Sequence, residues 1–284
     1  MDTPQKTIVI TGATSGIGFA AAKILAGLGA FVIGVGRSSE KCAAAEIEIR
    51  RQHPKAKVAY LLTDLSSQRQ VRELAKAIRA KSKGKIDVLV NNAGAVSNWY
   101  TATEDGYELQ FAVNHLAPFL LTHELLPLLQ ASPTARVITV SSGSHRNTRI
   151  HWRDVMFRCG YNTLRVYKQS KVANVLFTAE FNRRFANGSH LRAYAVDPGL
   201  VNTEIGLKGT SGIVRWIWDK RRAGGVTPEE GAQTAVFLAV EPVIQSNEIY
   251  WKDCRPLAPS PYSLREDEAA KLWNLSERLC GIVD

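Results

Sequence analysis

An α/β fold with a single doubly wound parallel sheet is predicted by three observations. Short apolar runs alternate with helix-like stretches between residues 7 and 240, a glycine turn follows the first run, and no linker or internal repeat divides the 284 residues. Strands that are apolar throughout belong to a sheet covered by helices on both faces. The crossovers are then right-handed, and 1–284 reads as one Rossmann-type domain.

The elements follow in order. TIVIT (7–11) is a strand ending in a glycine turn, and GIGFAAAKILAGLG (16–29) is a helix stopped by Gly29. AFVIGVG (30–36) is the second strand, with a charged helix over 39–52. VAYLLTDL (58–65) is the third, followed by a basic amphipathic helix to about 82. IDVLVNNAG (86–94) is the fourth, then a helix over 104–130. RVITVSS (136–142) is the fifth, and a helix carrying YKQSK (167–171) runs to about 186. LRAYAVDPG (191–199) is the sixth. Residues 204–228 break the rhythm with glycines and Ile213, Val214, Trp216, Ile217 and Trp218, a composition that suits a substrate-side lid, before a helix over 228–240.

The apolar share is 45% and the net charge +10, as expected of a globular chain that favours anionic ligands. The basic clusters at Arg183-Arg184 and Lys220 to Arg222 lack interleaved aromatics, so they read as solvated faces and nucleic acid is not expected as a partner. Cys42, Cys159, Cys254 and Cys280 form no CxxC, and the six histidines show no ligand spacing, so no metal or disulfide framework is expected. MDTPQK lacks a signal pattern, and no apolar run reaches the ~18 residues of a transmembrane helix. An intracellular protein, cytoplasmic or peripherally membrane-associated, is expected.

TGATSGIG (11–18) joins the first strand to the first helix. Gly12, Gly16 and Gly18 permit a tight turn and let backbone N–H groups approach a pyrophosphate at the helix N-terminus, with Thr14, Ser15 and Ile17 in the same turn. Ser15 adds a hydroxyl donor for phosphate. Where an NAD-binding fold places an acid on the ribose 2′-OH, this chain has Gly36, followed by Arg37 and Ser38. A carboxylate repels a 2′-phosphate and a guanidinium grips it, so NADP(H) is the expected cofactor.

Tyr167 and Lys171 stand at i and i+4, on one helix face. A free phenol ionises near pH ~10. An ammonium ~4 Å away is worth ~4 kcal/mol at an effective dielectric of ~20, enough to bring that ionisation near neutral pH. Of the adjacent Ser141 and Ser142, strand alternation allows only one to face the cleft.

TGATSGIG, Asp64, NNAG (91–94), Asn114, Ser142, YKQSK and DPGLVNT (197–203), in this order, resemble the short-chain dehydrogenase/reductase family over essentially the whole chain. IYWKDC (249–254), AAKLWNLSERLCGI (269–282) and the long gap from Ser142 to Tyr167 resemble its retinol-dehydrogenase-like branch. The resemblance implies that Tyr167 is the general acid or base, Lys171 lowers its pKa and holds the nicotinamide ribose, Ser142 orients the substrate oxygen, and Asn114 holds a water. It further implies that Asp64 and Leu65 meet the adenine, that Asn91, Ala93 and Gly94 floor the ribose and nicotinamide, and that Pro198, Gly199, Val201 and Thr203 contact the carboxamide. The insert at 143–166, with Trp152, Phe157 and Tyr161, is expected to shape the substrate pocket. The branch often carries an N-terminal membrane anchor that is not seen here, while Trp216, Trp218 and residues 220–222 permit peripheral membrane contact. Self-association through helices is compatible with the sequence.

The expected function is therefore NADP(H)-dependent hydride transfer to or from a hydrophobic carbonyl or alcohol, retinoid-, steroid- or lipid-aldehyde-like. A non-catalytic NADP sensor would not need Tyr167 and Lys171, and a methyltransferase would want an acid where Arg37 stands.

Overall fold

The computed structural model describes residues 6–186, 190–201 and 225–283. Among these residues the chain forms β1 (Thr7–Thr11), α1 (Gly16–Gly27), β2 (Phe31–Gly36), α2 (Ser39–Gln52), β3 (Lys57–Leu62), α3 (Gln68–Lys81) and β4 (Val88–Asn91). Next come α4 (Leu109–Phe111), a π-turn at Ala112–Leu116, α5 (Ala117–Gln130), β5 (Arg136–Val140), α6 (Thr163–Phe185) and β6 (Arg192–Asp197). The chain closes with α7 (Pro228–Val240), β7 (Tyr250–Lys252), β8 (Arg255–Pro256) and α8 (Glu266–Leu279). The sheet order is β3-β2-β1-β4-β5-β6-β7-β8. Every pairing is parallel except β7 with β8.

The expected parallel sheet is thus present, with an antiparallel edge strand that the sequence reading did not foresee. Alternate residues of one strand feed two cores, as the period of two requires. Ile8 and Ile10 pack with α1 and α7, while Val9 packs with α3, α5 and α6. All three are fully buried, which explains why β1 reads as an unbroken apolar run. Strand order reverses between β1 and β4, and ligands of such folds enter the crevice at the carboxyl ends of the strands there.

Most expected elements stand within a few residues of their predicted ends, and α2 and the 228–240 helix coincide with them. The helix expected over 104–130 begins only at Leu109 and is interrupted by the π-turn. Arg183 and Arg184 are not a purely solvated face: both pair with Glu180, whose side chain is fully buried. Lys220 to Arg222, Trp216 and Trp218 lie outside the described residues. No helix among the described residues is long and apolar enough to cross a membrane.

Candidate active site

The glycine turn is built so that no side chain fits inside it. Gly12 and Gly16 take φ of +66° and +54°, the left-handed region open to glycine. A Cβ on Gly12 would stand 3.0 Å from Ala93 Cα, and one on Gly18 would fall on Asn92 Nδ2 and the Gly12 carbonyl. The turn is tied to the end of β4 by two residues. Thr11 Oγ1 accepts from the Asn92 and Ala93 N–H groups at 3.0 Å each, and Asn92 Nδ2 donates to the Thr11 carbonyl at 2.8 Å. Ser15 precedes α1 without a side-chain cap bond, and the first turn of α1 has no acidic residue. First-turn N–H groups of a helix beside a glycine cradle, with no acidic side chain in that turn, are the donor set of an anion site, so the residues present fit a pyrophosphate.

At the end of β2, Gly36 is buried where a Cβ would lie 2.5 Å from Thr14 Cγ2 and 2.7 Å from Cys42 Sγ. The position cannot carry an acid without moving the turn. Arg37 beside it is exposed, and Ser38 caps α2 by accepting from Lys41 N–H at 3.3 Å. The Tyr60 hydroxyl donates to the Ala13 carbonyl at 2.8 Å and braces the turn from β3. Burial raises that phenol's pKa and keeps it a neutral donor. Asp64 Oδ1 accepts from Ser66 N–H at 2.9 Å and from the Ser66 hydroxyl at 2.8 Å, which fixes its carboxylate after β3. Leu65, Asn91 and Ala93 line one narrow crevice together with Thr11 and Val113.

The second half of the site lies where α6 crosses β5. Lys171 is 3% exposed, and its Nζ is 5.4 Å from the Tyr167 ring centroid, one helical turn back. That ammonium donates to the Val140 carbonyl at 3.1 Å, two residues before Ser142. Burial draws its pKa down to about 8, against the opposing charge of Asp197. Tyr167 is half-buried. Ser141 is buried, and its hydroxyl donates to the Lys171 carbonyl at 2.9 Å. Ser142 is partly exposed and accepts from Ser144 N–H at 3.2 Å, so of the two serines it is the one at the surface of the cleft.

Asn114 sits in the π-turn. It donates to the Ala95 carbonyl at 3.1 Å and to Ser170 Oγ at 3.0 Å, while its Oδ1 accepts from Ala95 N–H at 2.7 Å. These bonds join the loop after β4 to α6. A π-turn shifts the side-chain register by one residue, which is a recurrent feature of functional sites.

Residues 6–211 match the family model described as short chain dehydrogenase. The chain belongs to the short-chain dehydrogenase family. It is 36% identical to retinol dehydrogenase 14 of Mus musculus, with 98% of this chain and 86% of that protein covered. It is 38% identical to human retinol dehydrogenases 13 and 11, again over 98% of the chain and 86% and 87% of those proteins. The branch is thus retinol-dehydrogenase-like. Among solved structures, an uncharacterized protein from Mycobacterium paratuberculosis is 34% identical, covers 99% of this chain and 96% of its own, and superposes with a TM-score of 0.77. A Shigella flexneri short chain dehydrogenase complexed with NADP shares the fold at a TM-score of 0.68 and 22% identity, over 88% of this chain and 97% of its own.

Within this short-chain dehydrogenase the sequence-predicted residues divide. Gly12, Thr14, Ser15, Gly16, Ile17, Gly18, Ala93 and Gly94 gather around the turn between β1 and the end of β4. Asn91 turns its side chain inward, donating to Thr122 Oγ1 at 3.0 Å, so it offers the crevice little beyond its backbone and flank. Gly199 takes φ of +75°, and its N–H donates to Asp197 Oδ1 at 3.0 Å, which shapes the turn after Pro198. Val201 packs on Gly231 of α7, close to Ile17. Thr203 and nearly all of the expected lid lie outside the described residues.

The insert aromatics do not act together. Trp152 donates to Glu268 at 2.6 Å and ties the insert to α8, while Phe157 is buried against His151 within the insert itself. Only Tyr161 joins the loop after β4, through the Ser97 carbonyl and an edge contact with Tyr100. Sequence reasoning missed Thr11, Asn92, Asp197, Tyr250 and His145. Thr11 opens TGATSGIG, Asn92 is the second residue of NNAG and Asp197 opens DPGLVNT, but their tasks appear only when distant strands meet.

Proposed function

We propose that this protein is an NADP(H)-dependent oxidoreductase that interconverts a hydrophobic alcohol and its aldehyde or ketone, with Tyr167 as general acid and base. The single observation that carries the reading is the placement of Lys171 one turn from Tyr167 and against the end of β5, beside Ser142. The retinol dehydrogenases at 36–38% identity support an apolar alcohol or aldehyde as substrate.

When bound, the nicotinamide dinucleotide supplies or accepts the hydride. Its pyrophosphate fits the N–H groups of Gly16 to Gly18, and a 2′-phosphate fits Arg37. In carbonyl reduction the Tyr167 hydroxyl gives its proton to the substrate oxygen as negative charge builds there. Ser142 donates a hydrogen bond to the same oxygen. Lys171, with a pKa of about 8, is mostly a cation at pH 7 and favours the phenolate that remains. In the oxidation direction the phenolate takes the alcohol proton back. Asn114 holds the loop after β4 against α6 and so fixes the floor on which the reacting ring rests.

The test is turnover of NADPH by purified protein with a panel of lipophilic carbonyls, retinal and medium-chain aldehydes among them. Wild type reduces at least one member, and Tyr167→Phe reduces none above background while still quenching NADPH fluorescence. Absence of turnover by wild type across the panel, or equal rates for the two proteins, refutes the reading.

A further inference from the structure

A buried acid stands behind Ser142 and Lys171. Asp197 ends β6 and is 6% exposed. Its Oδ2 accepts from the Tyr250 hydroxyl at 2.9 Å, and its Oδ1 accepts from Gly199 N–H at 3.0 Å. A Cβ on Gly143 would stand 3.1 Å from Oδ2, so the carboxylate lies beside the turn that follows Ser142. Tyr250 is fully buried, and its ring centre lies 4.6 Å from that of His145. The Ser260 N–H donates to His145 Nε2 at 3.0 Å, which leaves Nδ1–H to donate to the Ser142 carbonyl at 2.8 Å.

Lys171 lies on α6, against the face of β6 that Ala193, Ala195 and Asp197 share. Its ammonium bonds a neutral group, the Val140 carbonyl, and no direct ion pair joins it to Asp197. Val140 pairs with Val196 across β5 and β6, so Asp197 stands one residue beyond the partner of the carbonyl that Lys171 holds. A buried ammonium without a nearby anion tends to lose its proton.

We propose that Asp197 is a positioning residue for the reaction: its carboxylate keeps Lys171 a cation across the ends of β5 and β6. The proposal rests on the reading of Tyr167 and Lys171 given above. Tyr167 on α6 lies against the Lys171 ammonium, Tyr250, His145 and Arg146 gather about Asp197, and His115 in the π-turn reaches Asn174, which shares the Val140 carbonyl with Lys171. Burial lowers the pKa of both histidines, which keeps them neutral. The Arg146 guanidinium lies 6.0 Å from the Tyr250 ring and opposes a second cation. Asp197 is the anion of this group and the charge that raises the Lys171 pKa against burial.

The experiment follows the Lys171 side-chain 13Cε resonance against pH in protein labelled at lysine, assigned by its loss in Lys171→Met. In Asp197→Asn the midpoint falls by about 1 pH unit, and the alkaline limb of kcat for carbonyl reduction moves down with it. Tyr250→Phe keeps the carboxylate and holds the midpoint near that of wild type, and Asp197→Glu restores most of the shift. Asp197→Ser serves as a second neutral variant should the asparagine not pack. A midpoint unmoved in both neutral variants, or moved equally by Tyr250→Phe, overturns the proposal. Because the resonance is read without substrate, failure here is distinguishable from failure to find turnover.

Discussion

Replacing Gly36 by alanine tests how the end of β2 is built. The new Cβ would stand 2.5 Å from Thr14 Cγ2 and 2.7 Å from Cys42 Sγ. Carbon atoms rest comfortably at roughly 3.5–4.0 Å, so each neighbour must retreat by about 1 Å. Neither moves freely, because Thr14 is part of the glycine turn and Cys42 is buried on α2. Overpacking of this kind costs about 1–3 kcal/mol. For a domain of this size that is a fall in Tm of roughly 2–10 °C.

The displaced turn should also bind NADPH less tightly, by about tenfold for each 1.4 kcal/mol that reaches the phosphate cradle. Cys42→Ala removes one of the two obstacles. In a double-mutant cycle it should recover about 1 kcal/mol of the loss. Thermal unfolding by circular dichroism and titration of NADPH fluorescence read both effects. A Tm for Gly36→Ala within about 1 °C of wild type, or no coupling to Cys42→Ala, would refute the argument that glycine is required there by packing.

Three further outcomes are expected. Arg37→Glu, at an exposed position, should fold normally and lower the ratio of NADPH to NADH activity at least tenfold, since a carboxylate repels the 2′-phosphate; an unchanged ratio removes Arg37 from the cofactor site. Tyr167→Phe should lower kcat by roughly 10²–10⁴-fold with cofactor affinity kept, the range of a lost general acid, as read by steady-state kinetics beside NADPH titration. His115 is wholly buried in the π-turn, bonds Ser276 Oγ at 2.9 Å, and is drawn by burial down to about 4. Its folded pKa lies below the unfolded value of ~6.5, so its contribution is complete above pH ~6.5 and is lost as pH falls toward 4. Between pH 7 and 5 the loss is about 2 kcal/mol. Urea unfolding at several pH values should show that slope in wild type and a flatter one in His115→Asn, and equal slopes would exclude His115 as its source.

Much of the site could be read in the chain because its motifs are local. TGATSGIG makes a turn whose strand and helix are its sequence neighbours, and YKQSK places a phenol and an ammonium together by the helical repeat alone. The two serines show where local reasoning stops. Alternation says that one faces the cleft, but which one depends on α6, where the Lys171 carbonyl captures Ser141. Asn91 is similar: its motif position points to the crevice, yet Thr122 of α5 draws its amide inward. The late start of the helix expected at 104 comes from the loop after β4, which Asn114 holds against α6 through a π-turn that no hydrophobic period announces.

The sequence by itself determined the alternation of strands and helices, the glycine cradle, the basic side chain after β2 and the Tyr167–Lys171 pair, because each follows from residues within one or two turns of each other. Only the tertiary structure decided which polar groups surround that pair. Asp197, Tyr250 and His145 come from two strands and a turn, and they meet because β5, β6 and β7 lie side by side and His145 follows β5. Burial then gives their charges and hydrogen bonds a strength that water would screen, and burial is a property of the packed sheet rather than of any segment of the chain.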